Sequence, residues 1–364
     1  GAVALSVGAV ALGQTSTAQV LHKASFGQPA DNPAKDWTDA ILYAIKKVNI
    51  APPEAARYLA IGHMAGFAAM NGIVGRYSDS MGVGQGPTWG DPIVAFHVAA
   101  ETALDLTMPG SFGGLKRNKL RRIPGSEAKS QAEKWGHHVG TLIGQARRHD
   151  GAEAIKNRPH YDTRVPAGNP MKWVKTSDDT NPIPILPGWG KVTPLGVRSI
   201  EAHRAPAFPD SRSLAFWNDV KLLQALGGET SGLRNHDQAH IAHFWEDGPH
   251  SVTPPGHFMK IAQHVLEPKM DPIDYARAQC LVAMSVADAG LSAWDSKYAF
   301  DILRPETVLR GRMHSIPGYA GHKSLQADPN WTALIPNPRF PAYVSGHSTF
   351  GAAGARMTQL LNGG

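Results

Sequence analysis

From Ile273 to Leu303 apolar residues recur at helical spacing, and this is the clearest such stretch in the chain. A helix that long must be flanked by other elements, and no strand-like alternation of useful length occurs that could build a sheet. Its partners are therefore expected to be helices. Trp37, Ile41, Ala44, Ile45 and Val48 line one face of a first candidate. Pro52-Pro53 opens a second, over Glu54 to Gly75, whose small residues allow close contact. Asp91-Pro92 starts a third that Pro109 stops, and Gln131 to His149 reads as a fourth. Further helical stretches run over Ser211 to Leu226, Asn235 to Glu246 and Pro255 to Leu266. The expected fold class is all-α, a helical bundle with long irregular connectors. Residues 1–158 form its N-terminal bundle region. Residues 159–210, with Pro166, Pro170, Pro182, Pro184, Pro187, Pro194 and Pro206, are too proline-dense for a helix interior and form a connector. Residues 211–364 form a C-terminal helical region.

Composition excludes several functions. One cysteine, Cys280, rules out an intramolecular disulfide framework and any multi-cysteine zinc or iron–sulfur site, so a metal centre would need His and carboxylate. The net charge of +6 is concentrated in Ser111 to His160, where 11 Lys or Arg meet 4 Asp or Glu. Lys116, Arg117, Lys119, Arg121 and Arg122 carry no aromatic interleaving or nucleic-acid motif, so they are expected to form a solvated loop and nucleic acid is not an expected partner. No transmembrane segment is expected, since the apolar run Gly1 to Gln14 is too short to span a bilayer. That run is similar to a signal-peptide core followed by Ser16-Thr17-Ala18, which would make the protein secreted or cell-envelope-associated. Read as an ordinary extended segment, it leaves a cytoplasmic location.

Two short segments carry chemistry. In AWDSKYAFDILRP, Ala293 to Pro305, Lys297 and Arg304 stand seven residues apart, which on one helix puts both cations on nearly the same face. Pro305 is expected to end that helix, leaving the guanidinium at a loop junction open to an oxyanion. In FPAYVSGHSTFGAAG, Ser345 can cap a helix, Gly346 allows close approach to the backbone, and His347 stands beside the helix N-terminus, where anions bind. Taken separately, the first segment could be two solvated cations and the second a helix cap with an exposed histidine.

Together and in this order, Lys-x6-Arg-Pro and Ser-Gly-His resemble two of three signature segments of vanadium-dependent haloperoxidases, a superfamily shared with type 2 phosphatidic acid phosphatases and bacterial acid phosphatases. Ala55 to Phe67, Arg234 to Trp245, Thr253 to His257, Val286 to Lys297 and Pro341 to Phe350 are also similar to the bacterial haloperoxidases. The resemblance implies that Lys297, Arg304, Ser345, Gly346 and His347 hold vanadate, a site phosphate can also occupy. It implies His347 as acid–base catalyst, with Lys297 and Arg304 sharing in catalysis. Trp294, Phe340 and Ser348 would line the halide pocket. The implied reaction is oxidation of chloride or bromide by hydrogen peroxide to a hypohalous species that halogenates an organic small molecule. A homodimer is expected by the same analogy.

The family's third segment, Ser-Arg-x5-His, supplies a further Arg and the axial His that bonds vanadium, and it is not found in this sequence. Ser211-Arg212 leads to Asn218 where the His would stand, and Arg198 to His203 is wrongly spaced. The metal ligand is therefore expected on a further segment or chain, with the C-terminal bundle incomplete here. Two alternatives stand beside halide oxidation. One is phosphomonoester hydrolysis, with the axial His as nucleophile. The other is a degenerate, non-catalytic homologue.

Other candidates read as structural. His236, His240 and His243, at i, i+4 and i+7, could face zinc but lack a carboxylate base, and are expected on a polar helix edge. His137 and His138 are expected at the surface, and Cys280 near Met284 in the core. No Gly-x-Ser-x-Gly elbow supports a Ser-His-Asp hydrolase.

Overall fold

The computed structural model describes residues 32–363 apart from 113, 158, 167, 177–182, 268–269 and 323. The signal-like run Gly1 to Gln14 and Ser16-Thr17-Ala18 lie outside the described residues. Among the described residues, twelve α-helices follow in order: α1 Pro33–Val48, α2 Pro52–Val74, α3 Pro92–Thr107, α4 Leu115–Leu120, α5 Glu127–Arg148, α6 Ala152–Asn157, α7 Leu214–Leu226, α8 His236–Phe244, α9 Thr253–Leu266, α10 Pro272–Phe300, α11 Pro305–Leu309 and α12 Gly346–Leu361. The described residues contain two isolated β-bridges and no named strand, so the fold is all-α. No described helix is long and apolar enough to cross a membrane.

The local signals act as physical chemistry requires. Asn32, Asp91, Ser126, Ser213, Asn235, Asp271 and Ser345 each accept a backbone N–H from the turn they cap. Proline opens α1, α2, α3, α10 and α11, where its missing N–H costs nothing. Helix α2 is buried nearly all round and touches α1, α3, α5, α9 and α10. Its packing relies on small residues. On α5, Gly136, Gly140 and Gly144 come so close to α3 that an added Cβ would stand 2.6 Å from the Ala95 carbonyl, 2.6 Å from that of Ala99 and 2.7 Å from Leu106 Cδ1.

The main core joins α1, α2, α3, α5, α9, α10 and α12. A smaller one gathers Phe216, Trp217 and Val220 of α7 with Leu303, Val308, Leu309, Met313, Ile316 and Leu325. Cys280 lies in the main core, its thiol 3.7 Å from Met284 Sδ and its pKa pushed up to about 12 by burial. His137 and His138 are exposed on α5.

The structure corrects two expectations. Lys116, Arg117 and Lys119 do not lie in a loop: α4 occupies Leu115–Leu120, where Lys116 pairs with Glu101 and Lys119 reaches Asp36 at 2.5 Å, docking this turn on the bundle, while Arg121 and Arg122 stay exposed in the turn that follows. Nor does Pro305 end α10. That helix stops at Phe300, where Asp301 takes a left-handed conformation, and Pro305 opens α11.

Candidate anion-binding site

The turn at Asp301 is fixed by the proline-rich segment. Tyr161 donates its hydroxyl to the Asp301 carboxylate at 2.7 Å and Lys172 its ammonium at 2.8 Å. Trp173 N–H donates to the Asp301 carbonyl, and Leu303 N–H to that of Met171, both at 2.8 Å. Further along the same segment, the amides of Leu195, Gly196 and Val197 donate to the buried Asp288 carboxylate of α10 at 2.7 to 3.0 Å. Residues that look like a spacer in sequence therefore brace α10 and its C-terminal turn.

Lys297 sits in the last turn of α10, 1% exposed. Its ammonium donates to the carbonyls of Pro341 at 2.8 Å and Ala342 at 3.1 Å, and lies 4.7 Å from the centre of the Phe340 ring. Arg304, beyond the turn, donates Nε–H to the Phe340 carbonyl at 2.9 Å and Nη2–H to that of Pro338 at 3.3 Å, its guanidinium 4.9 Å from the same ring. The two cations meet, although not as two residues on one helical face. They converge because the chain turns at Asp301 and both grip the segment 338–342.

Among the described residues, neither cation makes an ion pair with a carboxylate. Burial, with Arg304 nearby as the lesser cause, holds the Lys297 ammonium well below its usual pKa. Burial also lowers the Arg304 guanidinium to about 10, so it stays charged at neutral pH. Two desolvated cations without a counter-ion form a site whose empty state is costly and which an oxyanion would relieve.

Trp294 links this pair to the second motif. Its indole lies 5.0 Å from the Phe340 ring and 6.3 Å from that of Phe350 on α12, and its Nε1–H donates to the Ile185 carbonyl at 3.2 Å. Gly346 packs directly on it, with an added Cβ 3.4 Å from the indole edge. Ser345 caps α12 by accepting the Ser348 N–H at 3.2 Å. The first turn of α12 thus supplies helix-start amides and the positive end of a helix dipole beside Trp294.

Lys297, Arg304, Trp294, Phe340 and Gly346 therefore form one contact-linked group. Ser345 and Ser348 lie exposed at the cap. His347 is also exposed, and no hydrogen bond joins it to either cation. Its Nε2 is instead 3.0 Å from the Glu246 carbonyl oxygen. His236, His240 and His243 lie on α8, and the described residues contain no cluster of three or more His, Cys, Asp or Glu able to hold a metal. The carbonyls of Pro338, Phe340, Pro341, Ala342, Ile185 and Glu246 are invisible to sequence reasoning because a backbone acceptor leaves no side-chain signature. The density of proline across Pro336, Pro338 and Pro341 is the one hint of a stiff, non-helical segment.

Residues 277–364 match the family described as the VCPO second helical-bundle domain. A vanadium chloroperoxidase from Curvularia inaequalis is 30% identical over 161 residues, covering 40% of this chain and 26% of that protein. The chain thus spans about a quarter of the length of that curated relative. Among solved structures, the first bacterial vanadium-dependent iodoperoxidase superimposes with a TM-score of 0.73 at 21% identity, over 93% of this chain and 83% of the other. A holo-type bacterial vanadium-dependent chloroperoxidase gives 0.60 at 15% identity, over 86% and 76%. At such identities the two structures establish the fold. The family match spans the segment that holds both motifs, and there the chain is similar to the vanadium chloroperoxidases.

Proposed function

We propose that Lys297, Arg304 and the N-terminus of α12, with Ser345 and Gly346, bind vanadate, and that the protein oxidises a halide, chloride or bromide, with hydrogen peroxide. The observation that carries this reading is a buried Lys297 beside a half-buried Arg304, neither paired with a carboxylate among the described residues. The site suits a tetrahedral oxyanion of vanadate's or phosphate's size: an ammonium, a guanidinium fork and helix-start amides match several oxygens, and among the described residues no carboxylate is paired with either cation. When bound, vanadate supplies the Lewis acidity that activates peroxide.

The chain's own residues would do the rest. Lys297 and Arg304 orient the oxyanion and neutralise its charge, and their attachment to the 338–342 carbonyls limits the reorganisation needed on binding. Trp294 and Phe340 wall the site with apolar surface that excludes water and suits a weakly hydrated halide. His347 exchanges a proton with the bound anion or with peroxide. The resulting hypohalous species halogenates an organic small molecule. No residue of this sequence is assigned as a ligand to the vanadium itself. The remaining Arg and His would come from a further segment or from a chain of different sequence.

Vanadate titration by calorimetry tests binding, and bromination of a diketone dye with vanadate, peroxide and bromide tests turnover. Lys297→Met should weaken vanadate about 10- to 100-fold, since hydrogen bonds to a charged group contribute about 1.5–3 kcal/mol. Phosphate should compete, and His347→Ala should abolish turnover while leaving most of the affinity. Equal affinity in wild type and Lys297→Met would remove the proposal's basis.

A further inference from the structure

The segment that receives His347 is itself built to stay in place. Asp247 adopts a left-handed backbone conformation, φ 43°, and its carboxylate meets His257 Nδ1 at 3.0 and 3.2 Å. The His257 ring stacks on Trp245 at 4.9 Å and meets the edge of Phe244 at 5.2 Å. Trp245 also stacks on Phe258 at 5.8 Å. Phe258 in turn seats the segment against α12, where Cβ atoms added at Gly351 and Gly354 would approach its side chain to 2.6 and 3.3 Å. Glu246, between Trp245 and Asp247, is thus fixed from both sides, and its carbonyl meets His347 across the start of α12.

A carbonyl oxygen can only accept, so the nitrogen facing it must carry the proton. We propose that residues 244–258 are the positioning device of His347. The Glu246 carbonyl selects its Nε2–H form and leaves Nδ1 as the nitrogen that exchanges protons with a bound anion, while the Asp247–His257 pair holds that carbonyl on station. Asp247 and His257 are then positioning residues that act through the Glu246 backbone. This inference deepens the anion-site reading and rests on it for the role of His347, although the hydrogen bond can be tested without any anion.

The test is 15N-histidine NMR of the full chain at about pH 8.5, two units above the ordinary histidine pKa of about 6.5, with His347→Gln to assign the ring. Wild type should show an Nε2-bound proton in slow exchange with water and an unprotonated Nδ1. Asp247→Ala should speed that exchange at least tenfold, and Asp247→Asn, whose amide oxygen can still accept from His257, should restore it. His257→Phe, which keeps the stack on Trp245 but loses the pair with Asp247, should behave as Asp247→Ala and serves if that variant does not fold. A wild-type ring protonated at Nδ1, or an Nε2 proton unchanged in variants whose unfolding midpoint has fallen, overturns the proposal. No vanadate is present, so failure here leaves the anion site standing. Equal vanadate affinity of wild type and Lys297→Met in the titration above would instead leave this hydrogen bond intact.

Discussion

Arg57 on α2 and Lys297 on α10 are both buried cations, 3% and 1% exposed, and the fold treats them in opposite ways. Arg57 makes hydrogen bonds of 2.8 and 3.2 Å to the buried Asp150 carboxylate and one of 2.5 Å to the Arg147 carbonyl, so its charge is matched on the spot. Lys297 has two carbonyls, two aromatic rings and a second cation for company. A matched buried charge holds a bundle together. An unmatched one is retained at a cost in stability, which on the proposed function an external anion would offset.

The largest expected effect separates these two directly. Arg57→Met leaves Asp150 buried and uncompensated and should cost about 3–5 kcal/mol in urea unfolding. Lys297→Met removes a charge with no counter-ion and should cost nothing or stabilise slightly. Equal losses in the two variants would make Lys297 a structural hub.

The glycines carry the same contrast to a smaller scale. Gly140→Ala drives a Cβ to 2.6 Å from a backbone carbonyl, where no side-chain rotation relieves it, and should cost about 1–3 kcal/mol. At Gly346 the nearest atom is the Trp294 ring edge at 3.4 Å, ordinary contact, so Gly346→Ala should change stability to thermal unfolding by no more than about 0.5 kcal/mol. Any larger effect of Gly346→Ala on vanadate affinity would then report close approach of the ligand.

A further difference is in pH. The folded-state pKa of Lys297 lies below the ordinary 10.5, so between the two values the unfolded chain holds a proton that the folded chain lacks. Wild-type stability relative to Lys297→Met should therefore rise with pH across that window, by at most about 1.4 kcal/mol per unit. Below the window the full penalty stands. A difference between the two proteins that stays flat up to pH 10.5 would mean that Lys297 is not desolvated in solution.

Much of this is legible in the amino-acid order. The proline-started helices, the caps at Asp91 and Ser345, the long helix Pro272–Phe300, and the partners Lys297, Arg304, Trp294 and Phe340 all follow from spacing or from resemblance. The short helices α4, α6 and α11 do not, because helices of five or six residues have no propensity to form alone and exist by docking. For the same reason a basic stretch that reads as solvated becomes α4 once Glu101 and Asp36 meet its lysines.

Periodicity, capping and charge are written residue by residue, so the helical class, the entry points of the main helices and the side-chain types of the proposed anion site follow from the chain alone. How those side chains meet does not. Arg304 reaches Lys297 through a left-handed turn at Asp301 braced by Tyr161 and Lys172, and His347 turns to a backbone carbonyl 101 residues away. Carbonyl groups are the same at every position of a chain, so which of them a cation or an imidazole finds is settled by packing in three dimensions.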